Sequence, residues 1–222
     1  AALPSLLMIA ARLRGQSPGV SGALRRRGAV VFERCLMVRD LLAEPLPVAE
    51  SPAGIRLARW ADEHQPGAEA VATAAHAGGV DEVVVIEARP GQMVESLRAI
   101  RAGRHPEMGR WHKTASLVAL AADGDVIAYL AVADLATMGF VADLGVRPDH
   151  RRRGLGRLLM ARSMTICREE GRPAMGLVVT TANPARRLYD GLGFRAVQCG
   201  QTAVWWRDGR QSRWRERHSG SG

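Results

Sequence analysis

Lysine is nearly missing from this chain: of 31 basic residues all but Lys113 are arginine. Arginine codons are GC-rich, and with heavy Ala and Gly use this marks a GC-rich bacterial genome before it marks a function. Cysteine is scarce as well. Cys35, Cys167 and Cys199 lie far apart, with no CxxC pair and no Cys/His spacing suited to zinc. The expectation is therefore no disulfide framework, no metal site and a reducing, cytoplasmic setting. No apolar run reaches the roughly 18–20 residues that span a bilayer, so no membrane partner is expected. Leu6 to Ala11 is short, has no basic residue ahead of it, and reads poorly as a secretory leader.

At 222 residues, 47% hydrophobic and 24% charged, the composition is globular and excludes wholesale disorder. The length suits one domain with an extension. The net charge of +9 is uneven. Residues 1–30 hold five Arg and no acid, residues 147–162 hold six Arg against Asp149, and residues 207–222 hold five Arg against Asp208 and Glu216. Such clusters fit a nucleic-acid surface, a pocket for a phosphorylated cofactor, or solvated surface and tails.

Apolar spacing predicts a helix over 3–13, a Gly/Ser/Pro link over 15–22 and a strand over 29–38. Strand 29–38 could join the main sheet or mediate a homodimer. Pro45, Pro47 and Pro52 set a boundary near residue 54. Beyond it, Ile55–Trp60 reads as a strand, Asp62 as a helix cap, and 68–77 and 92–101 as helices. Three short apolar segments follow at 116–121, 126–133 and 140–146, the first two joined by the hairpin signal Asp123-Gly124-Asp125. A helix at 155–167, a strand at 176–180, a short helix at 184–192 and strands at 194–197 and 202–206 complete an α/β pattern with a mixed sheet. The expected units are an N-terminal extension over 1–54, a domain over 55–206 and a basic tail over 207–222.

The stretch Arg151-Arg152-Arg153-Gly154-Leu155-Gly156-Arg157 follows a strand and opens a helix. Gly154 and Gly156 lack Cβ, so backbone can approach a ligand. The first helical N–H groups lack intrahelical partners and sit at the positive dipole end, a cradle for a pyrophosphate. Neither a Walker A loop nor a full GxGxxG is present. Downstream, Asn183-Pro184 starts a helix whose Leu188 and Leu192 can pack inward, leaving Tyr189 on another side.

These two motifs, in this order and one helix and one strand apart, resemble the GNAT superfamily of acetyl-CoA-dependent N-acetyltransferases. The first matches its [RQ]xxGx[GA] turn; the second matches its Asn…Tyr…Gly-Phe segment, with one residue fewer between Asn183 and Tyr189 than in many relatives. The resemblance covers residues 55–206. It implies a mostly antiparallel mixed sheet flanked by helices, and acetyl-CoA lying where the strand ending at Val146 splays from 176–180. Coenzyme contacts would come from Leu144, Gly145, Val146, Arg151 to Arg157 and Asn183. An N–H near Leu144 would polarise the thioester carbonyl, and Tyr189 would protonate the departing CoA thiolate. An amine acceptor, small molecule or protein, must lose a proton before it attacks. Asp143, alternating away from Ala142 and Leu144, is the candidate base, or else it orders water or pairs an arginine. Glu82, Glu87, His105 and His112 fall in the region expected to shape the acceptor pocket, while Cys167 and Cys199 read as packing residues. Rival readings are an acyl-CoA sensor without turnover and a nucleic-acid-associated protein using Arg25-Arg26-Arg27. The second is disfavoured, because no helix-turn-helix spacing or stacking aromatics accompany that run.

Overall fold

The segments around 117–120 and 126–132 lack the polar alternation of a half-buried strand because both faces of their strands are covered. A computed structural model of the chain describes residues 6–7, 13–14, 18–42, 45–77, 79–81, 91–105, 108–135 and 137–206. Its strands are β1 (Leu6–Leu7), β2 (Leu13–Arg14), β3 (Val30–Asp40), β4 (Arg56–Arg59), β5 (Arg110–Trp111), β6 (Leu117–Leu120), β7 (Val126–Leu135), β8 (Met138–Val146), β9 (Ala174–Thr180) and β10 (Arg195–Trp206). They form one sheet in the order β1-β10-β3-β9-β8-β7-β6-β4, with β2 against β10 and β5 against β7. β8 and β9 run parallel, and the other pairings are antiparallel. The helices among the described residues are α1 (Pro18–Arg26), α2 (Gln65–His76), α3 (Gln92–Arg101), α4 (Leu155–Glu169) and α5 (Arg186–Gly191). This is the expected fold class.

Two cores sandwich the sheet. On one face Leu130 and Val132 of β7 meet Leu155, Leu159 and Met164 of α4, with Tyr189 and Phe194 beside them. On the other, Tyr129 and Ala131 meet Ala68, Val71 and Ala72 of α2 and Met93 and Leu97 of α3. Trp60 locks that second core, edge-on to Trp111 at 5.2 Å and to Tyr129 at 5.1 Å. A bidentate ion pair from Arg98 to Glu69, both contacts 2.6 Å, ties α3 to α2.

The N-terminal region departs from its sequence pattern. Residues 6–7 and 13–14 are not helical but pair with Trp205–Trp206 and Gly200–Gln201 of β10. Long-range pairing overrides the local 3.6 period there. Much of the expected link at 15–22 is instead helix α1, which starts at Pro18, where a missing N–H costs nothing. Strand 29–38 is present and does join the sheet: β3 lies between β10 and β9. The strands expected at 194–197 and 202–206 are one strand, with an irregularity between Ala196 and Gln198. Asp62 is not a cap; the Ala61 N–H is capped by His64 Nδ1 at 3.1 Å, and Asp62 pairs with Arg101. The Asp123–Asp125 hairpin is present, closed by the Ala121 N–H to Asp125 O at 2.9 Å.

The expectation of no disulfide is also overturned. Cys35 and Cys199 are Cα partners on β3 and β10 and form a disulfide across 164 positions of sequence. A bridge set by strand register leaves no short-range spacing to read. Glu33, Cys35 and Cys199 bring their ligand atoms within 4.8 Å of one another, but the two sulfurs are bonded to each other and do not form a thiolate pair. Cys167 is free and buried, and burial pushes its thiol up to about 12, as befits a packing residue. The segment 82–90, with Glu82 and Glu87, and the tail 207–222 lie outside the described residues. None of the helices among the described residues is long and apolar enough to cross a membrane.

Candidate active site

The site begins with a bulge. β7 and β8 pair Ala131 with Asp143 and then Val132 with Val141, so Ala142 is an extra residue in β8. A bulge bends its strand and ends regular pairing. The ladder between β8 and β9 accordingly runs only from Met138–Ala174 to Val141–Leu177, and beyond it the two parallel strands part. Asp143 to Val146 and Val178 to Thr180 edge the resulting gap.

The bulge also corrects the expected alternation. Ala142 packs on the α2/α3 side, and Asp143 reaches Tyr129 on that same side, while Leu144 and Val146 pack toward α4. Asp143 is held by two donors, the Tyr129 hydroxyl and His76 Nε2 at 3.0 Å, and both meet Oδ2. Gly145 makes this possible: a Cβ there would lie 2.4 Å from the Tyr129 ring. The Asp143 carboxylate raises the pKa of His76 against the opposing effect of burial, with a smaller contribution from Asp81. Burial first, then Asp143, holds the Tyr129 phenol protonated well above its ordinary range. Neither residue stands out in the sequence, since His76 ends an Ala-rich helix and Tyr129 sits inside an apolar run.

Tyr189 lies on the opposite face, buried in the α4/α5 core and edge-on to Phe194 at 6.1 Å. Its phenol is pushed up by burial and then by the negative charge of Asp143 and Asp81, so it stays protonated at neutral pH. The sheet thus has the Asp143 carboxylate on one face and, on the other, the protonated phenol of Tyr189 from α5.

After Val146 the chain makes a 3-10 turn at Pro148–His150 and enters α4 through Gly154, which adopts φ +80 with open space around it. Arg152 also has positive φ, 60°. Arg152 and Arg153 are exposed, as is Gly154. Arg151 is engaged elsewhere, with Nη2 donating to Ala75 O at 2.8 Å and Nε to Val146 O at 3.3 Å. Arg157 donates to Gly191 O at 3.3 Å, so it links α4 to α5. Arg147 and His150 surround Asp149 and hold its carboxyl at about 2, the His150 hydrogen bond contributing most. A Cβ on Gly156 would come 3.1 Å from Leu188, so the bare glycine also lets α4 pack against α5. The Leu155 side chain is core, leaving only its backbone toward the turn.

Asn183 is committed within the protein. Its Oδ1 accepts the Ala185 N–H at 2.8 Å, and its Nδ2 donates to Asp81, which also accepts from Thr180 Oγ1 at 2.6 Å. The helix it leads into starts at Arg186, two residues later than Pro184 predicts.

On the α2/α3 side, Asp143 opens into a cavity of about 520 Å³ lined by α3, β3, β8, β9 and β10. His105 is at its wall. His112 is not: it is buried near Glu170, just past the end of α4, 3.8 Å away.

Comparison with known proteins agrees with this architecture. Residues 86–194 match the acetyltransferase (GNAT) family. Streptothricin acetyltransferase of Streptomyces lavendulae is 38% identical over 82 residues, which are 36% of this chain and 43% of that protein. Among solved structures, a GCN5-related N-acetyltransferase from Sphaerobacter thermophilus superposes with TM-score 0.64 at 19% identity, covering 88% of this chain but 58% of that one. The PaiA N-acetyltransferase of Thermoplasma acidophilum, in complex with coenzyme A, superposes with TM-score 0.50 at 13% identity over 67% of this chain and 97% of its own. Through residues 86–194 the chain is thus similar to the GNAT family of acetyltransferases, and it shares the fold of solved N-acetyltransferases.

Proposed function

We propose that this chain moves an acetyl group from acetyl-CoA to a primary amine, both bound at once. One observation carries the reading: β8 and β9 part beyond Val141, with Asp143 on one face of the sheet and the buried Tyr189 of α5 in the core on the other. The residues present fit the coenzyme. On the side turned away from β7, where β9 has parted, Leu144, Gly145 and Val146 offer a strand edge to an amide-bearing arm. The turn at Gly154 and the first N–H groups of α4, with the exposed Arg152 and Arg153, suit a pyrophosphate. Arg151, Arg157 and Asn183 have protein partners and would contribute after exchanging them. When bound, the coenzyme supplies an activated acyl thioester.

The chain's own groups do the rest. The Leu144 N–H is the oxyanion donor candidate. Tyr189, kept protonated, holds a proton for the leaving sulfur. Asp143 takes a proton from the incoming ammonium through Oδ1, the oxygen that neither Tyr129 nor His76 occupies. The match to streptothricin acetyltransferase supports acetyl transfer to a small molecule.

Calorimetry with acetyl-CoA and a CoA-release assay over an amine panel test this. Tyr189→Phe should lower kcat by about 100-fold or more with coenzyme affinity unchanged; full activity in that variant removes Tyr189 as the acid. Coenzyme binding with no CoA release from any amine would favour the sensor reading.

A further inference from the structure

We infer that the cavity on the α2/α3 face is the acceptor site, and that it selects a primary amine carried on an apolar body with a single positive charge, excluding polycations. This rests on the acetyl-transfer reading. The cavity, about 520 Å³, is of the size that holds a small organic molecule. It opens directly at Asp143, so a guest with its amine on this carboxylate would point the nitrogen at the parted strands.

The walls set the class of guest. Met93, Leu97 and Ile100 of α3 face Leu36, Phe140 and Val178 across the cavity. Val178 is 42% exposed at the point where β9 has parted from β8 and pairs only with β3. An apolar residue left open at the edge of this gap and on the cavity wall is surface that a ligand would cover. Uncharged polar lining comes from Ser96 and from the β10 residues Gln198, Gln201 and Thr202, which suit a neutral polar tail.

The charges on the described lining favour one ammonium over several. Among the described lining residues Asp143 is the one carboxylate, and the other ionisable side chains are Arg34 and His105. A second ammonium would lie against aliphatic walls or face a guanidinium, and burying an unpaired charge is costly. A single ammonium is matched: Asp143 Oδ1 accepts it while Tyr129 and His76 fix the other oxygen.

The test uses the full chain with saturating acetyl-CoA and three probes: 2-phenylethylamine, spermidine and kanamycin. kcat/KM for 2-phenylethylamine should exceed that for either polycation by about tenfold or more. Ser96→Trp, which fills the cavity from α3, should raise the KM for 2-phenylethylamine by about tenfold and leave acetyl-CoA affinity unchanged. Val178→Asp, at an exposed position, should weaken the same amine without disturbing the fold. Preference for spermidine or kanamycin, or indifference of the amine KM to both variants, overturns the inference while acetyl transfer stands. Saturable binding of 2-phenylethylamine with no turnover retains the site and removes the transfer reading. No binding and no turnover of that amine, with coenzyme bound, overturns the inference.

Discussion

Reduction of the Cys35–Cys199 bridge should destabilise the protein strongly. The two cysteines are 164 positions apart, so the bridge closes nearly the whole described chain into one loop. Chain-entropy scaling for a loop of this length gives about 5 kcal/mol of stabilisation through the unfolded state. That is an upper figure, since a compact unfolded ensemble already limits the chain. For a domain of this size each kcal/mol moves the melting temperature by about 2–4 °C, so the expected drop is about 10–20 °C. The assay is thermal unfolding followed by circular dichroism, with and without a phosphine reductant. Thiol titration in denaturant accompanies it: before reduction only Cys167 should react, and after it all three cysteines should. A Cys35→Ala/Cys199→Ala double variant should melt near the reduced protein and ignore the reductant. Three reactive thiols in protein purified under air, or a melting temperature that reductant leaves in place, would refute the reasoning.

Tyr129→Phe keeps the ring against Trp60 and Gly145 but removes one donor from Asp143. A hydrogen bond to a charged acceptor contributes about 1.5–3 kcal/mol, so denaturant titration should show a loss in that range. Amine turnover should fall with it while acetyl-CoA affinity holds. His76 gives a pH signature. Its raised pKa means that the imidazolium–Asp143 attraction is fully present below 6.5 and fades as pH rises through the folded-state value. Stability should therefore decline from mildly acidic to mildly alkaline pH, and Asp143→Asn should flatten that decline. A slope equal in both proteins, measured by denaturant midpoint, would count against the pairing.

Much of the fold could be read from residues 55–206, and the reason is local. Gly124 in its hairpin, the apolar stripe Leu155-Leu159-Ser163 and the Arg151–Gly156 turn each announce their element within a few positions. What escaped depends on distance. That β3 sits between β10 and β9, that Cys35 meets Cys199, and that residues 6–7 join β10 are matters of pairing across more than 130 positions. The candidate site divides the same way. Asp143 and Tyr189 stand in patterned segments, but one inserted residue, Ala142, reverses the local alternation and turns Asp143 toward Tyr129. Nothing in the residue types around 142 signals a bulge. His76 becomes visible only when α2 is laid against β8.

The position of β3 has a consequence for synthesis. Its 11 residues are made before every strand from β4 onward, yet both its neighbours, 174–180 and 195–206, are made last among the described strands. Through most of translation an apolar strand waits with both edges open, the condition that invites pairing with other chains. Folding of the sheet is thereby deferred until the C-terminal strand emerges, and a chain stopped short of β10 would keep one long edge unprotected. Such a fragment should aggregate, which ties the solubility of the nascent chain to its last strand.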